Sequence, residues 1–326
     1  MWDFTNPTKT VVEKSVKGKS YFFYGVNGTG KTFNAIRYPK PFVIAWEDGL
    51  KAHGGIPVAR PTKWSDVYKI LKQFKRPEVR DLYETIVIDT AEKMGEKLQS
   101  HVLSANGVTK LSEIDNGDGY LQIGSEIGKF IDGITELGYT VIFVGHPKDV
   151  QEKDSKGLKY IRKEPEGNKR VVKAICDAVD IIAYLEPSGI DEETGEVLLS
   201  TAHLVEAKTH KARSRWSHMP KKIYPFSVEN MTKALEVAID KEEQLGNPED
   251  FVQTIDRVET IELTIEEIKS KLEKLVPMMK EKFGGYEEYL QISENILGVG
   301  MKVSACNSRH SEALLSLIDA LEEKLK

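Results

Sequence analysis

The chain has 326 residues, 40% hydrophobic and 30% charged, the values of a globular protein with room for about two domains. No apolar run approaches the ~18 residues of a bilayer-spanning helix, and the start, Met-Trp-Asp-Phe-Thr-Asn-Pro, lacks the basic head and apolar stretch of a secretory leader; no membrane partner and a cytoplasmic location are expected. Two cysteines exclude a disulfide framework or zinc site, and the net charge of −5 hides an asymmetry: residues 229–326 carry 12 Lys+Arg against 21 Asp+Glu, residues 1–228 carry 34 against 30.

Residues 19–24 read as a short buried strand, followed by a Gly-rich loop and a helical start at Lys31. Phe42–Ala45 is a second strand, and 64–74 a helix. Thr85–Ile88 is a third strand, bounded by Asp89. Residues 91–104 and 121–137 read as helices around a loop, Ile114-Asp-Asn-Gly-Asp-Gly-Tyr120, which lacks calcium-loop spacing. Residues 139–144 are a fourth strand. A long basic connection, 147–173, precedes strands at 178–185 and 198–207, with a polar turn at 191–195 between them. Strands alternating with helices imply an α/β core with a mostly parallel sheet.

Beyond residue 228 strand runs cease. The expected organisation is a core over 1–228, a charged linker over 229–262 and an acidic helical appendage over 263–326. Ile265, Ile268, Leu272, Leu275 and Met279 form one stripe, with Thr264 and Glu267 as a capping box and Pro277 as a possible kink. Leu314, Leu317, Ile318, Leu321 and Leu325 form another. Such stripes pack into a small bundle or take a protein partner.

The chemistry begins at Gly25-Val26-Asn27-Gly28-Thr29-Gly30-Lys31-Thr32, a full G-x-x-x-x-G-K-[ST] between a strand and a helix. Its glycines let backbone N–H groups turn toward phosphate oxygens. Lys31 places charge on the β- and γ-phosphates of ATP, and the Thr32 hydroxyl is a ligand for Mg²⁺. Asp89 suits a carboxylate partner of the same Mg²⁺ at the sheet's C-terminal edge. Glu47, after the second strand, can polarise the attacking water; Asp48 is the weaker candidate. His146, ending the fourth strand, can report the γ-phosphate. Lys159, Tyr160, Arg162, Lys163, Lys169 and Arg170 can track a phosphodiester backbone and stack a base, although acids in the same stretch leave a solvated loop open. Lys208, Lys211, Arg213 and Arg215 can reach a neighbouring subunit or form a basic surface turn.

In this order the residues resemble the RecA-like recombinase superfamily, and more closely the small phage ATP-binding proteins of recombination and single-strand annealing. The resemblance covers roughly residues 15–228. It implies a RecA-like P-loop core with Glu47 as base, His146 before the second DNA loop, 115–120 as the first, and Lys208 and Lys211 acting across the interface of a homo-oligomer. It departs from AAA+ ATPases, which usually carry a Glu directly after the Asp; here Thr90 stands there. The expected function is a phage-encoded ATPase that binds single-stranded DNA. The alternatives are a loader or assembly switch that recognises a protein, and an ATP-binding structural partner.

Overall fold

The computed structural model describes residues 10–190, 193, 198–247, 250–252, 265–307 and 310–325. The capping box at Thr264 and all but Glu193 of the turn at 191–195 lie outside them. The chain divides into two compact units, residues 1–257 and 258–326.

The first unit runs β1 (Val12–Glu13), β2 (Ser20–Gly25), α1 (Lys31–Ala35), β3 (Pro41–Ala45), β4 (Val58–Ala59), α2 (Ser65–Phe74), α3 (Pro77–Leu82), β5 (Thr85–Asp89), α4 (Ala91–Asn106), α5 (Asp118–Thr135) and β6 (Thr140–Gly145). It continues through β7 (Pro147–Lys153), β8 (Lys159–Pro165), α6 (Lys169–Ala178), β9 (Ile181–Glu186), β10 (Thr201–His203), β11 (Arg213–Ser214), β12 (Lys222–Ile223), α7 (Val228–Leu245) and β13 (Phe251–Val252). The main sheet has the order β12-β10-β9-β2-β6-β5-β3-β4, with β11 also pairing with β9. From β9 to β4 every pairing is parallel; β10, β11 and β12 add antiparallel edges.

The central strands are buried along their whole length and mostly apolar, because both faces are covered. Phe22, Tyr24, Ile86, Ile88, Val141 and Phe143 point to the face under α2, α4, α5 and α6. Their neighbours Tyr21, Phe23, Val87, Ile142 and Val144 point to the other, with residues of α1 and α7. Asn168 caps α6 by accepting the Arg170 N–H. Arg213 closes the other end of α6, donating to the Cys176 and Val179 carbonyls at 2.7 Å. Arg215 donates to the Asp177 and Ala178 carbonyls. These two cations therefore satisfy orphan carbonyls at the end of α6.

The expected boundary at 228 and linker over 229–262 need correcting. Val228, Met231, Leu235, Ala238 and Ile239 on α7 are buried in the first unit's core, and β13 pairs with β1. α7 carries its charges on its outer face; residues 248–249 and 253–262 of the expected linker lie outside the described residues. The stretch 147–173 is likewise no loop: β7 and β8 form an antiparallel hairpin from Pro147↔Pro165 to Lys153↔Lys159. The polar 115–120 segment opens α5.

In the second unit α8 (Ile265–Phe283), α9 (Glu287–Leu297) and α10 (Ser311–Leu325) pack the two expected stripes against each other. α8 runs through Pro277. No described helix is long and apolar enough to cross a membrane.

Because α7 belongs to the core, Leu235→Ala is expected to cost the first unit about 2–5 kcal/mol, the range for truncating a buried Leu. Urea denaturation followed by tryptophan fluorescence checks this. An unchanged midpoint would return α7 to the linker.

Candidate functional site

β2, β3, β5, β6 and β9 are parallel, so Gly25, Ala45, Asp89, Gly145 and Glu186 end at one edge of the sheet. Ligands bind at such an edge in open parallel sheets. The loop after β2 is fixed by its own contacts. Gly28 and Gly30 have φ of 82° and 73°, a region costly for any side chain. A Cβ on Gly25 would stand 2.4 Å from the Leu185 carbonyl oxygen. The Thr29 hydroxyl donates to the Val26 carbonyl at 2.8 Å, and Asn34 ties α1 back to Gly30 at 3.0 Å.

Lys31 is 7% exposed and donates to the Gly25 and Val26 carbonyls at 2.7 and 2.8 Å. Burial pulls its ammonium below the ordinary lysine range, while Asp89, Glu92 and Glu47 pull it back. The Thr32 hydroxyl donates to Asp89 Oδ2 at 3.0 Å. Burial raises Asp89 to about 6, against the Thr32 hydrogen bond and helped by Glu47 and Glu92. Thr32 and Asp89 thus put two hard oxygen donors together at the phosphate loop, and the carboxylate sits where desolvation calls for a cation. This donor set fits Mg²⁺.

Glu47 follows β3, and its Oε1 and Asp89 Oδ2 flank the same face of Gly49. Asp48 is exposed and turned to Lys51 and Arg60, away from the other acids. His146 holds two partners: Nδ1 contacts Glu92 Oε1, and Nε2 lies 2.8 Å from Asn27 Oδ1. Glu47, Glu92, His146, Lys93, Lys148 and Gly167 line one cleft of about 560 Å³. Sequence reasoning missed Glu92. It lies in the first turn of α4, three residues after Asp89, so the helix returns it toward the same edge.

The six residues expected to meet DNA are not brought together. Lys159, Tyr160, Arg162 and Lys163 lie on the β7–β8 hairpin; Lys169 and Arg170 open α6. On the hairpin, Arg162 is paired with Glu206 and Glu164, Lys163 with Asp149, and the Tyr160 hydroxyl with Glu152. Lys169 and Arg170 instead line a second cleft of about 570 Å³ with Lys110, Thr109, Tyr120 and Asn168. The Asn168–Gln99 hydrogen bond, 2.9 Å, belongs to both clefts. Lys208 is exposed and lies 3.7 Å from Asp154 on the hairpin. The Lys211 backbone N–H reaches the Lys163 carbonyl at 3.0 Å and the Tyr24 hydroxyl at 3.0 Å.

A parallel α/β sheet with this loop and an adjoining Thr–Asp pair defines a P-loop nucleoside-triphosphatase. The chain belongs to the AAA domain family, whose sequence model matches residues 17–216, and is accordingly a nucleotide-binding P-loop ATPase. It is also similar to YorG, an uncharacterized SPbeta prophage-derived protein of Bacillus subtilis strain 168: 29% identical over 328 residues, covering 99% of this chain and 98% of that protein.

Lys31→Ala removes the loop's only side-chain cation. ATP turnover is expected to fall by well over tenfold, a barrier rise of more than about 1.4 kcal/mol. A phosphate-release assay that finds a smaller loss would overturn the assignment of the loop.

Proposed function

We propose that the chain is a RecA-like ATPase of phage origin that binds single-stranded DNA and promotes annealing or recombination, as a homo-oligomer in the host cytoplasm. The observation that carries this reading is the adjacency of the two clefts. The acidic cleft lined by His146, whose Nε2 meets Asn27 of the phosphate loop, shares Gln99 and Asn168 with a cleft bearing Lys110, Lys169, Arg170 and the exposed ring of Tyr120. Cations and an aromatic in one groove are what a single strand takes up. Similarity to a prophage-derived protein supports the phage origin.

In this reading Glu47 takes the proton of the water that attacks the γ-phosphate, and Lys31 neutralises the phosphate oxygens. Mg²⁺, when held by Thr32 and Asp89, supplies charge neutralisation at the same oxygens. His146 reads the terminal phosphate, and its backbone opens the hairpin: the Glu166 N–H donates to the His146 carbonyl at 2.8 Å. Lys208 and Lys211 serve the next subunit's nucleotide. The acidic second unit takes a protein partner.

Glu47→Gln keeps the shape and loses the base. It is expected to bind ATP normally and turn over about 10²–10⁴-fold more slowly. A slower Asp48→Asn with an active Glu47→Gln would reassign the base.

ATP turnover with and without single-stranded DNA tests the function. Stimulation is expected, and Lys110→Glu, Lys169→Glu and Arg170→Glu together should weaken binding and flatten its salt dependence by about 0.7 per lost phosphate contact. Unchanged affinity and slope would remove the strand from this cleft. The loader reading has one observation of its own. Arg162 and Lys163 on the hairpin are paired with acids while Leu158 and Ile161 stand 65% and 59% exposed, a mixed surface of the kind a protein recognises. Turnover raised by a protein and indifferent to DNA would select it.

A further inference from the structure

Glu92 comes from α4, His146 from the end of β6 and Asn27 from the phosphate loop, and they form one chain of contacts. Both imidazole nitrogens face oxygens that accept: Glu92 Oε1 at Nδ1 and Asn27 Oδ1 at Nε2. A neutral imidazole has one N–H and satisfies one of them. An imidazolium has two and satisfies both. Glu92 itself is 8% exposed, and its second oxygen, Oε2, is buried with no hydrogen-bond partner among the described residues. A buried carboxylate so placed needs a cation at its other oxygen.

We propose that Glu92 is a positioning residue that holds His146 as an imidazolium with its Nε2–H aimed at the phosphate loop, where it exchanges Asn27 for an oxygen of the terminal phosphate of ATP. This rests on the ATPase reading of the same site. The surroundings fit. Glu92 raises the affinity of His146 for its proton, first through the Nδ1 contact; partial burial opposes this, Lys31 opposes it, and Glu47 reinforces it. Lys93, Lys148 and Glu166 line the same cleft from α4, β7 and the turn before α6, adding charge of both signs. Asn27 is exposed and sits on the loop, so yielding its place needs only a side-chain rotation. Glu92 touches no phosphate in this arrangement; it acts through the imidazole, which then carries a second cation to the nucleotide beside Lys31.

The test is an NMR titration of the histidine rings in the full chain without nucleotide, with His146 assigned by its loss in His146→Ala. His146 is expected to titrate above the ordinary value of about 6.5. In Glu92→Gln, which keeps an acceptor and loses the charge, it is expected at or below that value. The variant should also lose roughly tenfold or more of its preference for a non-hydrolysable ATP analogue over ADP at pH 7.5, with ADP affinity kept. The alkaline limb of its turnover profile should move to lower pH. Glu92→Asp, which keeps the charge, should restore part of each. A wild-type His146 titrating at or below the ordinary value would overturn the proposal. So would an unmoved titration in Glu92→Gln, or equal losses of ATP-analogue and ADP affinity, the mark of a merely structural carboxylate. Should Glu92→Gln not fold, His146→Ala, at a half-exposed position, must show the same lost preference, and retained preference overturns the proposal. The titration is read without nucleotide, so its failure is distinct from an absence of ATP binding, which overturns the ATPase reading and the phosphate contact together.

Discussion

A buried ammonium must be compensated, and Lys31 is compensated by its surroundings in two layers. The nearer layer is the pair of carbonyls at Gly25 and Val26, which accept from Nζ and fix the curl of the loop. The farther layer is a set of three carboxylates, Glu47 after β3 and Asp89 and Glu92 at the β5–α4 junction. Each segment must end at the same edge for those charges to meet, and the parallel register of β2, β6, β5 and β3 brings that about. Three acids around one lysine leave excess negative charge. Burial first, and the neighbouring acids second, raise the proton affinity of Asp89, and His146 stands against Glu92. The site is thus built to receive further cations, and a metal-bound triphosphate brings one while its phosphate oxygens meet Lys31.

The same strand carries a second connection. Tyr24, one residue before the loop, is fully buried, and its hydroxyl donates to the Lys211 carbonyl at 2.5 Å and accepts the Lys211 N–H. It also lies 3.2 Å from the Lys163 carbonyl on β8. Burial raises the phenol's hold on its proton, against the opposing pull of the Lys211 backbone bond, and leaves it no role as an acid at ordinary pH. Its work is mechanical: a single oxygen joins the phosphate-loop strand, the hairpin and the segment of Lys208 to Lys211. The hairpin is therefore tied to the nucleotide edge twice, through Tyr24 and through the His146 carbonyl.

Much of this was legible in the residues, and the parts that were not have physical reasons. The phosphate loop, Asp89 and the four core strands are local patterns: a glycine spacing and β-branched or aromatic runs that both faces of the sheet must cover. The two helical stripes of the second unit are periodic in the same local sense. Glu92 was hidden because its meaning lies in a contact across 54 residues with His146, and its spacing of three from Asp89 is only a weak local sign. α7 was read as linker because its charges are frequent; its buried stripe of Met231, Leu235 and Ala238 is spaced correctly but diluted by the acids on the other side. The hairpin was read as a loop because its strands alternate charged residues rather than apolar ones. It has no core to cover and is held by cross-strand and ion pairs instead.

Those ion pairs bear on how a nucleic acid would engage the hairpin. Arg162 is 13% exposed at its side chain and already holds Glu206 and Glu164; Lys163 holds Asp149; Lys208 stands near Asp154. A phosphate meeting Arg162 or Lys163 would have to displace a carboxylate. The gain is then the difference between two anions rather than the whole of one; the more exposed Lys163–Asp149 pair is worth about 0–1 kcal/mol. Lys110, Lys169 and Arg170 carry no such exchange among the described contacts, and they lie on the nucleotide side of the fold beside Gln99 and Asn168. In the proposed reading a strand would meet Lys169 and Arg170 at the start of α6 without displacing an acid, whereas at Arg162 and Lys163 it would displace one.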